Sequence, residues 1–314
     1  MRSSSGGDRE RDIIDTTSVA PGLSVVVVML GGRSYLPRCL DALQQQVGVA
    51  RPEIIVPCDE SVADLAQLRH RYPEVQFLPP EGRRTYAEMR AIGFHRARGT
   101  IIALTEDHCS PDPDWCQQIL KLHEAPHAAV GGAVDKGPDG ILNWAIYLCD
   151  FSRYMNPVAE GSSAYLTDCN VSYKRRALEL LAPLWAKEFH ETTINWTLAD
   201  QGQSLWLSPR VIVNQQRSLS LGAALAERYR FGHLFARTRV AATPWVRRPL
   251  YAVGTLVLPL VLMARVARNV LVKRRARNRF LAALPAIALL DTVWALGELV
   301  GYWQGTLRGR ETGV

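Results

Sequence analysis

Hydrophobic and polar positions alternate in blocks along the first third of the chain. Residues 23–30 (LSVVVVML) form an unbroken, largely β-branched apolar run of strand length, followed at once by two glycines. Such a run predicts a strand buried on both faces. Residues 35–46 then place apolar side chains at helical spacing, and residues 53–56 (EIIV) predict a second strand leading into Asp59-Glu60-Ser61, side chains suited to the N-terminus of the next helix. Short strands follow over 75–78 and 100–104 (TIIAL). This β-α alternation across the first 105 residues predicts an α/β fold with a mostly parallel sheet between layers of helices. Beyond residue 115 the pattern is mixed: helices are predicted over 115–123, 142–150, 174–181 and 191–202, strands over 128–134 and 204–213, and a small-residue loop over 160–163.

From residue 250 the chain changes character. Residues 250–264 (LYAVGTLVLPLVLMA) are uncharged and apolar, and residues 280–303 form a longer apolar run interrupted by Asp291 and Glu298. Charge follows the same division, because residues 244–314 carry 11 basic and 3 acidic side chains and the preceding 243 residues carry 26 and 27. A balanced body argues against nucleic acid as a partner, whereas a basic segment interleaved with apolar runs predicts association with membrane lipids. Neither apolar run is a clean span of about 20 residues, and two spans would carry the seven basic residues of 265–279 to the far side, against the positive-inside tendency. The tail is therefore expected to form a helical hairpin seated in the cytoplasmic leaflet, with Arg268, Lys273, Arg274, Arg275 and Arg277 on anionic headgroups. A two-span hairpin and a soluble core or oligomer interface are the alternatives.

Polar, charged residues 1–21 lack the apolar centre of a signal peptide and read as a disordered arm. Six scattered cysteines, with no C-x-x-C pair and no histidines at zinc-finger spacing, read as reduced thiols of a cytosolic domain. At 314 residues and 47% hydrophobic the chain can bury a large core, which excludes a disordered chain or a small disulfide scaffold.

Ligands of open parallel sheets bind outside the carboxyl ends of the strands, so the residues just after each strand carry the chemistry. These are Gly31-Gly32, Asp59-Glu60 and Thr105-Glu106-Asp107-His108. No G-x-G-x-x-G follows the first strand and no G-x-x-x-x-G-K-[ST] occurs anywhere, which disfavours a dehydrogenase and removes a P-loop hydrolase. Three acidic or metal-competent side chains in a row at a strand end would repel one another unless a cation sat among them. A divalent metal bridging two phosphates, or a solvated acidic turn capping the next helix, accounts for them.

The segment 97–115 (ARGTIIALTEDHCSPDPDW) resembles the family-2 glycosyltransferases of GT-A fold, whose corresponding stretch runs A-x-G-x-I-I-x-x-L-D-x-D-C-x-P-x-P-x-W. Ala97, Gly99, Ile101, Ile102, Cys109, Pro111, Pro113 and Trp115 stand in register with it. The opening strand followed by Tyr35-Leu36 and Cys39-Leu40, EIIVPCDES at 53–61, and Met89-Arg90-Ala91-Ile92-Gly93 are similar to further motifs of that family. The resemblance covers about the first 115 residues. It implies a nucleotide-diphosphate sugar donor, a divalent cofactor (Mn²⁺ or Mg²⁺), and inverting transfer to a hydroxyl of a lipid-linked or glycan acceptor.

By this resemblance Glu106, Asp107 and His108 hold the metal and the donor phosphates, with His108 at the main ligand position and Asp107 as the alternative. Imidazole favours Mn²⁺ over Mg²⁺. Asp59 is expected to bind the nucleotide base, because Cys58 stands where the family has its first Asp, and Gly31-Gly32 to offer it backbone groups. Arg90 would face the departing phosphates. The family's E-D-x-x-L-x-x-x-L-x-x-x-G motif, counted back from Gly202, places His190 and Glu191 at its acidic pair, which makes Glu191 the expected catalytic base. Asp168-Cys169-Asn170 falls at an acceptor-side motif. Loss of the usual aspartates at Cys58, Glu106 and His108 leaves a noncatalytic nucleotide-sugar-binding protein as the competing class. The expected organisation is an arm over 1–21, a GT-A domain over 22–240 and a membrane-associating tail over 241–314.

Overall fold

The computed structural model describes residues 21–29, 35–58, 65–82, 84–137, 139–241, 244 and 247–311. The expected N-terminal arm, apart from Pro21, lies outside these residues. Strand β1 (Leu23–Val28) is buried along its whole length and leads to α1 (Leu36–Gln44), β2 (Glu53–Pro57), α2 (Leu65–Arg71) and β3 (Gln76–Leu78). Helix α3 (Tyr86–Arg96) opens on a capping box: the Thr85 hydroxyl accepts from the Glu88 amide and the Glu88 carboxylate accepts from the Thr85 amide. There follow β4 (Ile101–Glu106), β5 (Cys109–Pro111), α4 (Trp115–His123), β6 (Ala129–Lys136), α5 (Ile141–Phe151), β7 (Gly161–Ser162) and β8 (Asn170–Lys174). Then come α6 (Arg175–Glu179), α7 (Ala182–Trp185), α8 (Glu191–Asp200), β9 (Leu205–Gln215), α9 (Leu221–Ala241), α10 (Arg248–Gly254), α11 (Leu258–Lys273) and α12 (Arg277–Glu311).

The nine strands of the described residues form one mixed sheet in the order β3-β2-β1-β4-β8-β6-β9-β5, with β7 also on β9. The first four strands are parallel, as the alternation predicts. Strand β8 enters antiparallel beside β4, and β6 is antiparallel to β8 and parallel to β9. The carboxyl ends of β1, β2, β4, β6 and β9 therefore share one edge with the start of β8. Thr105 pairs with Asn170 in this register, which brings Glu106 and Asp168 to that edge from segments about 60 residues apart. The buried Asn170 side chain ties the centre together: its amide donates to the carbonyls of Ala133 (2.8 Å) and Val211 (2.9 Å), and its oxygen accepts from the Trp115 indole (2.9 Å). A Cβ on Gly132 would lie 1.8 Å from the Val211 carbonyl, so only glycine lets β6 and β9 approach here.

The apolar tail folds back onto this body. Helices α10 and α11 meet at a 65° bend, and α12 lies along α9, α5 and α11. Val266, Val270, Phe280, Ala283, Ile287 and Leu290 join the main core. The two acids that interrupt the run point inward: Glu298 accepts from the Trp294 indole (2.5 Å) and the Tyr302 hydroxyl (3.0 Å), and Asp291 lies 4.0 Å from the Arg228 guanidinium. Arg228 is itself buried and bonded to Asp150 of α5 (2.7 Å). Two residues expected on headgroups are committed to the domain, for Lys273 donates to the carbonyl of Arg153 (2.9 Å) and Arg275 to Asp135 (2.7 Å).

Glycines set the spacing of α9 against α12. A Cβ on Gly232 would come within 2.3 Å of the Trp294 carbonyl, and one on Gly297 within 2.3 Å of the Tyr229 carbonyl. Because those atoms are backbone, relief requires moving a helix. Gly297→Leu is expected to destabilise the protein by about 1–3 kcal/mol or more through overpacking, whereas Leu296→Ala, on the exposed face of the same turn, should shift stability little. Thermal unfolding of the two variants beside the parent checks this.

Candidate active site

The edge shared by β4, β8 and the start of α8 holds a cluster of buried charge. Arg90 projects from α3, whose residues Ala87, Met89, Ala91 and Phe94 pack into the core. Its guanidinium meets three carboxylates: Asp168 at 2.5 Å, Glu106 at 3.3 Å and Glu191 at 3.5 Å. Only 9% of the Arg90 side chain is exposed, so the charge depends on these partners. They hold it firmly protonated, above even the usual arginine range, despite the opposing effect of burial.

Around this pair the turn from β4 to β5 is built of Glu106, Asp107 and His108, all buried. The Asp107 amide donates to the Val28 carbonyl (3.0 Å), and the His108 carbonyl accepts from the Gln216 amide (2.7 Å), so β1 and the end of β9 fix the turn from both sides. Each nitrogen of His108 faces a carboxylate: Nδ1 lies 3.4 Å from Asp107 and Nε2 lies 3.3 Å from Glu106. Burial alone would lower the imidazole pKa, but the hydrogen bond to Asp107 and the Glu106 charge outweigh it and the pKa rises. Glu106 is pushed up to about 7, first by burial and then by the charge of Asp168. Burial and Asp168 likewise raise Glu191, whose carboxylate accepts from the Thr192 hydroxyl (2.8 Å).

The donor set fits a divalent cation. In the neutral tautomer whose Nδ1–H points at Asp107, His108 would turn an Nε2 lone pair toward the Glu106 carboxylate, and two acceptors 3.3 Å apart need a proton or a cation between them. Oxygen with imidazole suits Mn²⁺. Ligand atoms of Glu106, His108 and Cys109 all lie within 4.8 Å of one another, but a thiol is a softer donor than that ion prefers. Asp107 sits where it orients the imidazole.

Of the sequence-derived candidates, the structure brings Arg90, Glu106, Asp107, His108 and Glu191 together from α3, the β4–β5 turn and the first residue of α8. Asp59 and Gly31-Gly32 lie outside the described residues. The Asp168-Cys169-Asn170 motif divides: Asp168 enters the site on Arg90, whereas Asn170 is a core residue. Cys109 is legible only as a family match; it directly follows His108 in the chain, and β5 holds it opposite Gln215.

No curated protein matches the chain. Among solved structures, the mannosyltransferase PcManGT of Pyrobaculum calidifontis, in complex with GDP-Man and Mn²⁺, superposes with a TM-score of 0.57 at 18% identity over 93% of this chain and 89% of that one. At that identity the likeness is one of fold. GalNAc-T7 with UDP, GalNAc and Mn²⁺ superposes at 0.49 and 14% identity, over 72% and 52% of the two chains. The glycosyl transferase family 2 model matches residues 24–181, from the first strand through the strand that brings Asp168 to Arg90, and the chain belongs to that family.

Proposed function

We propose that the chain is an inverting, metal-dependent glycosyltransferase that moves a sugar from a nucleotide-diphosphate donor to a hydroxyl of a lipid-linked or polysaccharide acceptor at the cytoplasmic face of a membrane. One observation carries the reading: a single buried guanidinium joins Glu106, on the turn suited to a cation, to Glu191, at the position of the family's base. Glu106, Asp107, Asp168 and Glu191 gather four carboxylates around Arg90 and His108. A donor diphosphate would be repelled from so acidic a site without added positive charge. A divalent cation held by Glu106 and His108, as the Mn²⁺ accompanying GDP-Man in the archaeal relative suggests, would supply that charge and stabilise the leaving diphosphate.

The protein's own groups perform the rest. Glu191 takes the proton from the acceptor hydroxyl as its oxygen forms a bond to C1 of the donor sugar, and the C1–O bond to the diphosphate breaks with its electron pair leaving on the phosphate. The raised pKa of Glu191, caused by burial and by Asp168, makes it a stronger base than a solvated carboxylate. Its 23% side-chain exposure leaves it accessible to an incoming acceptor. Arg90, held between the two ends of the site, is placed to stabilise developing phosphate charge. A panel of nucleotide sugars, assayed for nucleoside diphosphate release with Mn²⁺, tests the class; absence of turnover with every donor would return the chain to the noncatalytic alternative.

Chelation is expected to abolish turnover and added Mn²⁺ to restore it better than Mg²⁺, because His108 contributes imidazole. Unchanged turnover in chelator would refute the metal, and equal rescue by both ions would move the main ligand to Asp107. Asp107→Asn should weaken Mn²⁺ affinity about 10–100-fold through loss of the carboxylate that orients His108, measurable by calorimetric titration of the purified protein. Glu191→Gln should lower kcat by roughly 10²-fold or more while donor affinity stays close to the parent value; near-normal turnover would transfer the base to Asp200 or Glu188.

A further inference from the structure

The surface helices of the tail present apolar side chains where a water-facing helix presents polar ones. Along α10, the bend after it and the start of α11, Leu250, Val253, Leu256, Val257, Leu260 and Val261 recur every three to four residues, and each is between 48% and 75% exposed. The opposite face is occupied, since Thr255, Val266 and Val270 are buried. The exposed charge that residues 247–304 themselves carry has one sign. The only acids in residues 247–304, Asp291 and Glu298, are both buried, whereas Arg265, Arg268, Arg274 and Arg277 are exposed. Arg265 and Arg268 continue α11 directly beyond the apolar stretch.

We propose that the α10–α11 elbow is a one-leaflet membrane wedge, seated in an anionic lipid surface, and that α12 does not cross the bilayer. An apolar ridge edged by arginines, with no exposed acid, complements acyl chains beneath anionic headgroups. A second copy offering the same face would set arginine against arginine. Helix α12 is long and apolar enough to span over Arg277–Gln304, but it is fastened along its length to the catalytic body. Arg275, just before it, pairs with Asp135, and Arg279 lies 3.6 Å from Asp139. Asp291 faces the Arg228–Asp150 pair, and Gly297 and Gly301 meet the backbone of α9. A spanning α12 would either abandon these contacts or draw α5 and α9 into the hydrocarbon. The wedge thus specifies the membrane half of the proposed function, and its test does not depend on sugar transfer.

Co-sedimentation of the full chain with vesicles is the measurement, using phosphatidylcholine alone or mixed with phosphatidylglycerol. The parent should partition onto the mixed vesicles and be weakened by salt. The double variant Leu256→Glu/Leu260→Glu, at two exposed positions, should lose partitioning by roughly tenfold or more with an unchanged melting curve. Arg265→Glu/Arg268→Glu should lose it on the anionic vesicles only. Retained binding by the leucine variant overturns the wedge, as does a parent that binds no vesicle and whose dimer that variant dissociates, which would make the elbow a protein interface. In sealed vesicles, cysteines introduced by Arg274→Cys and Trp303→Cys should react from the same side with an impermeant maleimide; opposite sides would establish a span. Nucleoside diphosphate release by the soluble leucine variant separates this outcome from the fate of the transferase reading, since neither leucine touches the site.

Discussion

A guanidinium cannot be buried alone, and the arrangement around Arg90 follows from that constraint. Its three carboxylate partners come from the end of a parallel strand, the segment before an antiparallel one and the first turn of a helix about 100 residues after Arg90 itself. Removing one partner from a buried ion pair typically destabilises a protein by about 3–5 kcal/mol, so the fold and the chemistry draw on the same contacts. The cluster remains acidic in excess. Arg90 and His108 face four carboxylates, burial pushes Glu106 up to about 7, and the site is complementary to a cation followed by an anionic ligand.

The inversion of β8 makes this convergence possible. Were β8 parallel to β4, the residues just before it would lie at the opposite edge of the sheet, far from Glu106. As an antiparallel neighbour it starts where β4 ends, and Asp168 falls beside Glu106 through the pairing of Thr105 with Asn170. Asn170 then holds β6 and β9 in place by bonding to Ala133 and Val211. One short segment thereby supplies a charge to the site and a clamp to the core, with adjacent residues serving different ends.

What the sequence makes legible follows the range of the interactions. Strands β1, β2 and β4 are largely apolar runs buried along most of their length, so composition identifies them, and the turn after β4 is found because parallel sheets place chemistry there. Strand β8, with the mixed residues NVSYK, gives no such signal and reads as the approach to a helix. The short β5 is set by pairing with β9 more than 100 residues away. Glu191 is visible through family spacing, but its link to Glu106 through Arg90 is a property of the folded chain. In the tail, apolar runs are evident, whereas the inward direction of Asp291 and Glu298 depends on Arg228, Trp294 and Tyr302.

The same reasoning connects the tail to the site. Strand β6 runs parallel to β4's direction through β8, so Asp135 near its end lies at the sheet edge that carries Glu106. Arg275, in the corner between α11 and α12, pairs with that aspartate and donates to the Asn156 carbonyl (3.0 Å). Arg274 and Ala276 in this corner both adopt positive φ (52° and 60°), an uncommon backbone for residues with a side chain, and the Arg275 contacts lie between them. The corner that follows the apolar elbow is thus bonded to the sheet edge that carries the acidic cluster, rather than linked to it flexibly. In the proposed arrangement, an acceptor with one end in lipid and a hydroxyl in water would meet a site whose orientation to the bilayer this corner would help to fix. Such orientation would limit the positions a hydroxyl samples before it reached the proposed base, Glu191, and would thereby lower the entropic part of the barrier.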